Sequence, residues 1–225
     1  MKNSMSVRNK YYDVKSLRTQ KRKKPCYHII ALSLYCKERK GERYIMSVDY
    51  EALKQMALDC GFSHVGDLDA DLIILRPEVR SACAENKCQA YGKNWVCPPA
   101  CGTLEECGER IHRYKKGLIV QSTGELEDSF DLEGMEELAE NHSKSFDKFA
   151  DLLREQYPDA LVLGDGACKR CKSCTYPDEP CRFPKRQSSA MEAYGMVVSE
   201  VCQQNNIPYY YGPGTLTYVG CVLVE

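Results

Sequence analysis

The feature that most constrains this chain is a run of cysteines within GACKRCKSCTYPDEPCRFP, between Gly166 and Pro184. Its cysteines follow the spacing C-x2-C-x2-C-x6-C, at Cys168, Cys171, Cys174 and Cys181. Two residues between cysteines allow successive sulfurs to reach neighbouring corners of a metal centre. Three evenly spaced cysteines before a more distant fourth are typical of ferredoxin-type 4Fe-4S loops, although the last gap here is longer. Zinc, disulfides and free thiols are the alternatives.

A second cysteine-rich segment, CAENKCQAYGKNWVCPPACGTLEEC, lies earlier in the chain and contains Cys83, Cys88, Cys97, Cys101 and Cys107. Glycines and prolines interrupt it, so we expect the first four cysteines to lie in irregular backbone of the kind that holds metals. Cys107 is the reserve, as a ligand or a reactive thiol in the first turn of a helix. The spacing matches no common zinc pattern. A second metal site, structural thiols, and one site built from both segments all remain open.

Charge divides the chain into two parts. Residues 1–45 carry thirteen Lys and Arg against three acids, whereas residues 46–225 carry eighteen against twenty-nine. We expect residues 1–45 to be a basic, disordered extension or a spurious start, and residues 46–225 to form the cysteine-rich metal-binding domain. The basic part is also compatible with a nucleic-acid or membrane arm. No apolar stretch approaches the roughly twenty residues of a membrane span, so we expect a cytoplasmic protein, in which clustered cysteines bind metal more often than they form disulfides.

Hydrophobic periodicity predicts alternating helices and strands, and therefore an α/β fold with a mixed sheet and flanking helices. Predicted helices span 49–60, 103 to about 115, 132–156 and 190–204; predicted strands span 64–65, 72–75, 118–122, 161–163 and 216–224. His142 falls on the apolar stripe of the longest helix, which favours a core histidine over a metal ligand. Trp95 and Tyr91 are expected to shield a metal site in the earlier segment, or to be core aromatics.

Residues 48–225 resemble a family of predicted metal-binding proteins called domain of unknown function 2284. The resemblance rests on NKCQAYGKNWVCPPACGTLEEC, YKKGLIVQSTGELEDS, GACKRCKSCTYPDEPCRFP and SSAMEAYGMVVSEV. It implies metal binding, as an iron–sulfur cluster, and it implies no particular reaction. Residues 1–45 lie outside it.

Three classes of function are considered, of which the first two fit these patterns best. The first is a redox protein in which one or two 4Fe-4S clusters exchange electrons with a partner protein. The second is a binding or regulatory module stabilised by zinc. A third is an enzyme that acts on a small molecule beside a cluster. Because the chain has no P-loop or dinucleotide-binding fingerprint and no arrangement of Ser, His and Asp typical of hydrolases, no residue is assigned a catalytic role.

Basic residues surround the later run, at Lys169, Arg170, Lys172, Arg182, Lys185 and Arg186. We expect them to face an acidic redox partner, or to offset the negative charge of a thiolate-bound cluster. Nucleic acid and membranes are not expected partners of this domain.

Overall fold

A mixed β-sheet of five strands forms the centre of residues 47–225, the part of the chain that the computed structural model describes. The strands are β1 (His64–Asp69), β2 (Lys116–Glu125), β3 (Leu161–Gly164), β4 (Ser189–Ala190) and β5 (Thr215–Leu223). Their order is β1-β2-β5-β3-β4, and all pairs are antiparallel except β3 with β4. The predicted α/β class with a mixed sheet is confirmed.

The described residues form one compact unit, Ser47–Glu225. The predictions about the basic extension therefore lie outside the described residues. Within residues 47–225, no helix is both long and apolar enough to cross a membrane.

Helices cover both faces of the sheet: α1 (Tyr50–Cys60), α2 (Pro77–Ala84), α3 (Leu104–Ile111), α4 (Leu132–Gln156) and α5 (Val198–Gln204). Side chains alternate between the faces of β2, so Leu118 and Val120 pack with α1 and α4, whereas Ile119 packs with α3 and α5. The sheet thus lies between two buried apolar clusters.

Capping explains where two helices begin. Asp49 accepts a hydrogen bond from Ala52 N at 3.0 Å, and α1 follows as predicted. Thr103 and Glu106 form the predicted capping box of α3.

The end of α3 differs from the prediction, because the helix ends at Ile111 and not near residue 115. Gly117 already lies in β2, where a Cβ would stand 1.9 Å from the Val222 carbonyl oxygen, so this glycine permits close strand pairing and does not end a helix.

Two predicted elements are wrong. The predicted helix over 190–204 is only α5, because Ala190 belongs to β4 and Gly195 interrupts the chain with a φ of +83°. Gly195 O also accepts a hydrogen bond from Arg76 N at 2.7 Å, which ties this turn to the start of α2. The predicted strand over 72–75 is a 3-10 turn at Ala70–Leu72 followed by a single bridge from Leu75 to Met196.

Candidate metal centre

The later cysteine run forms the connection from β3 to β4 at one side of the sheet. All its cysteines are half-buried and line one small cavity of about 30 Å³: Cys168, Cys171, Cys174 and Cys181. Trp95, Val96 and Phe183 also line this cavity. At Cys181, Sγ accepts a hydrogen bond from Phe183 N at 3.4 Å, a contact of the kind that orients metal-binding thiolates. The structure therefore gathers this set of thiols around one space.

Ion pairs attach the run to the long helix α4. Arg170 has a side chain only 8% exposed, and it contacts Asp147 at 3.1 Å and Asp151 at 2.9 Å. Arg186 contacts Asp151 at 2.5 Å. Although partial burial opposes the shift, hydrogen bonds from Arg186 and Arg170 hold the pKa of Asp151 below its usual value. Two of the basic residues around the run are thus committed to contacts within the chain.

Trp95 joins the two cysteine segments. Its Nε1 donates to Glu179 O at 3.2 Å and to Thr175 Oγ1 at 3.3 Å. Its ring meets that of Tyr176 edge to face, with centroids 5.0 Å apart. Trp95 was expected to shield a site in its own segment, but it forms a wall of the cavity in the later run.

The earlier segment forms one side of a larger cavity of about 430 Å³ and contributes Cys83, Cys88, Cys97 and Tyr91 to its lining. Cys101 does not line this cavity. Its Sγ lies 3.6 Å from the carbonyl oxygen of Ala193, and Ala193 is one of the lining residues. Each of the two cavities is faced by cysteines from a single segment. One expectation is wrong: Cys83 lies in α2, not in irregular backbone. Pro77 at the first position of that helix was the available signal.

Asn94 organises the backbone that carries Cys97. The side chain is buried, and its Oδ1 accepts from Cys97 N at 2.8 Å and from Val96 N at 3.1 Å. Its Nδ2 donates to Ala90 O at 3.0 Å. Burial raises the pKa of Cys97 to about 11, so metal binding at neutral pH must displace a proton from this thiol.

Arg80 from α2 lies among the innermost thiols. Its Nη1 donates to Ala193 O at 2.6 Å and to Cys101 Sγ at 3.4 Å. A hydrogen bond from Cys107 lowers the pKa of Cys101, with Arg80 adding to the effect, whereas the same hydrogen bond and burial raise the pKa of Cys107. Cys107 lies in α3 as predicted and is fully buried, and its role as a reserve ligand or a reactive thiol stays a prediction.

The donor chemistry fits a metal group bound through sulfur. None of the cysteines in residues 47–225 forms a disulfide. In the same residues, no three side chains of His, Cys, Asp or Glu are gathered so as to hold a single metal ion. The four thiols of the later run nevertheless share one cavity.

Several residues of the two sites were missed by sequence reasoning: Arg80, Asn94, Asp147 and Asp151. Arg80 was missed because α2 was not predicted. The aspartates lie in a correctly predicted helix, where surface carboxylates at i and i+4 carry no sign of a distant partner. Asn94 had a usable signal, since an asparagine before a turn commonly accepts from backbone N–H groups two or three residues later.

Comparison with known proteins identifies the family of the chain. The chain matches no curated protein and no solved structure. Residues 66–224 match the profile of a family described as predicted metal-binding protein (DUF2284), and this range includes both cysteine segments. The match covers more than half of the chain, and the chain therefore belongs to the DUF2284 family of predicted metal-binding proteins.

Proposed function

We propose that the chain binds one or two 4Fe-4S clusters and acts in electron transfer or redox chemistry. The observation that carries the proposal is the cavity shared by all four cysteines of the later run, whose spacing is close to that of ferredoxin loops that bind a 4Fe-4S cluster. When bound, it would supply one-electron exchange. A cytoplasmic location belongs to the same proposal, because reduced cysteines at this density are typical of a reducing compartment.

The chain's own residues would hold and tune such a group. Cys168, Cys171, Cys174 and Cys181 would bind it, while Trp95 and Phe183 would limit its contact with water. The N–H of Phe183 already donates to one ligand sulfur, and hydrogen bonds of this kind influence cluster potential. Cys83, Cys88, Cys97 and Cys101 are the proposed ligands of a second group, with Cys107 in reserve.

Metal analysis of protein purified without oxygen tests the proposal. We expect about four irons and four acid-labile sulfides for each occupied site, and an EPR signal after reduction. Replacing Cys171 or Cys174 with serine should remove one such set, whereas Cys60→Ser, in the opposite apolar cluster, should not. Undiminished iron in both loop variants would contradict the assignment. Colourless protein with one zinc per site would instead identify the zinc-stabilised module.

The second site has its own test. Cys83→Ser and Cys97→Ser should remove only the second set of irons, because those cysteines line a separate cavity. Cys107→Ser should retain it. A total of about four irons, all lost with Cys171, would show that only the later run binds a cluster.

A further inference from the structure

A third cavity, with a volume of about 640 Å³, lies beside the later cysteine run and contains none of its cysteines. α3 contributes Arg110 to its wall, α4 contributes Arg154, and Arg113 lies exposed nearby. Trp95 and Val96 line both this cavity and the smaller cavity of the run. Its volume is within the range of small-molecule sites.

Arg110 is held in place without a carboxylate. Its Nε donates to Glu106 O at 3.1 Å, its Nη1 to Tyr194 OH at 2.8 Å and its Nη2 to Cys101 O. Its guanidinium carbon lies 5.2 Å from the centre of the Tyr194 ring. Among the described residues it forms no ion pair. These contacts orient the guanidinium, and the nearby carboxylate of Glu106 forms no ion pair with it.

Arg154 also forms no ion pair with the described residues and is half-buried. Its Nη2 donates to Gln187 O, but its Nη1 is buried without a hydrogen-bond partner among the described residues. The nearest aspartates, on the same helix, are engaged by Arg170 and Arg186. Burial and the repulsion from Arg170 lower the pKa of Arg154. The Arg154 side chain also lines the cavity, and a guanidinium without a paired carboxylate is well matched by an oxyanion.

We propose that this cavity binds a small molecule through a carboxylate or phosphate group, with Arg154 and Arg110 as the oxyanion-binding side chains. Glu106 and Glu109 also line the cavity and disfavour a ligand with many negative charges. Glu106 is already engaged, since one of its oxygens accepts from Thr103 N at 2.8 Å. The wall shared with the cysteine run would place such a ligand beside the proposed cluster. The binding itself does not depend on the identity of the metal.

Calorimetric titration of the full chain with inorganic phosphate, and separately with succinate, tests this proposal. We expect saturable binding of at least one probe at one site per chain, and the stronger probe identifies the oxyanion. Arg154→Met and Arg110→Met should each weaken that binding by about 10- to 100-fold, because each removes a charge-assisted hydrogen-bond donor. Lys144→Met removes the same charge from an exposed position of α4 and should leave the affinity unchanged.

Three results would overturn the proposal: no binding of either probe, equal affinities in parent, Arg154→Met and Arg110→Met, or an equal loss in Lys144→Met. Circular dichroism establishes that each variant is folded. If the variants Arg154→Met and Arg110→Met both fail to fold, Arg113→Met decides, because Arg113 is exposed and forms no hydrogen bond or ion pair with the described residues. Its replacement should weaken binding at low salt, and an unchanged affinity would count against the site.

Discussion

At the scale of single residues, His142 shows how the core constrains a titratable group. It is fully buried, its Nδ1 lies 2.9 Å from Ser122 Oγ, and its ring packs against Phe62 and Phe146. The prediction of a core histidine is confirmed. Its Nε2, however, has no partner among the described residues. Burial lowers the pKa of His142, so the folded protein holds the ring neutral.

This burial predicts a loss of stability in mild acid. As pH falls below the unfolded pKa of about 6.5, the unfolded chain gains a proton that the folded chain does not accept. The free energy of unfolding should therefore decrease, at most by about 1.4 kcal/mol per pH unit from this group. Urea unfolding of His142→Phe, at matched metal content, should show a shallower decrease between about pH 5 and 6.5. Equal slopes in variant and parent would contradict the prediction.

At the scale of elements, the cysteine run depends on the helix it contacts. Asp151 of α4 binds both Arg170 and Arg186, and Arg170 is nearly buried. We expect Asp151→Asn to lower the free energy of unfolding by about 1–3 kcal/mol, because it weakens two charge-assisted contacts. It should also speed metal loss to a chelator.

The matched control is Glu155→Gln, which removes the same charge from an exposed position on α4. Because the pKa of Asp151 is lowered in the folded protein, its contribution exists above the usual aspartate pKa and is lost as pH falls toward the lowered value. The free energy of unfolding of Asp151→Asn should therefore decrease less than that of the parent as the pH falls through this range. Identical metal retention in Asp151→Asn and Glu155→Gln would argue against the anchoring role.

At the scale of the whole molecule, both apolar clusters and both cysteine cavities lie within residues 47–225. We therefore expect a chain that begins at Met46 to fold and to bind as much metal as the full chain. Circular dichroism and metal content, measured side by side, check this. Loss of folded, metal-loaded protein in the shorter chain would assign a structural role to residues 1–45.

A redox partner remains a prediction, and the structure changes how it is tested. Arg170 and Arg186 form ion pairs with aspartates of α4. The exposed cations beside the run that form no ion pair with the described residues are Lys169, Lys172, Arg182 and Lys185. Lys172→Glu with Lys185→Glu should slow electron exchange with an acidic donor at low salt. The effect should fade as salt shortens the screening length, about 8–10 Å at physiological ionic strength.

Lys144→Glu is the control for this experiment, because Lys144 lies on α4 and pairs with Glu140 on the surface. Its rate should match that of the parent. If the double variant also matches the parent at low salt, the basic residues serve only to offset charge within the chain.

The sequence by itself determined the elements with strong local signals. The limits of α4 follow from its periodicity, those of α1 from Asp49 and Gly61, and the start of α3 from its capping box. These signals act within a few residues, so they can be recognised without the fold. The spacing of the later cysteines likewise predicted that their thiols would face one common site, and they line one cavity.

Only the tertiary structure decided the rest. Ser189 and Ala190 lie in β4 because β3 offers them strand pairing, which overrides the local helical pattern. Gly117 is required by the backbone of Val222 and not by the helix before it. The cavity that contains Arg110 and Arg154 is lined by both α3 and α4, two helices far apart in the chain. Such contacts depend on which distant groups the sheet brings together, and no local pattern encodes that choice.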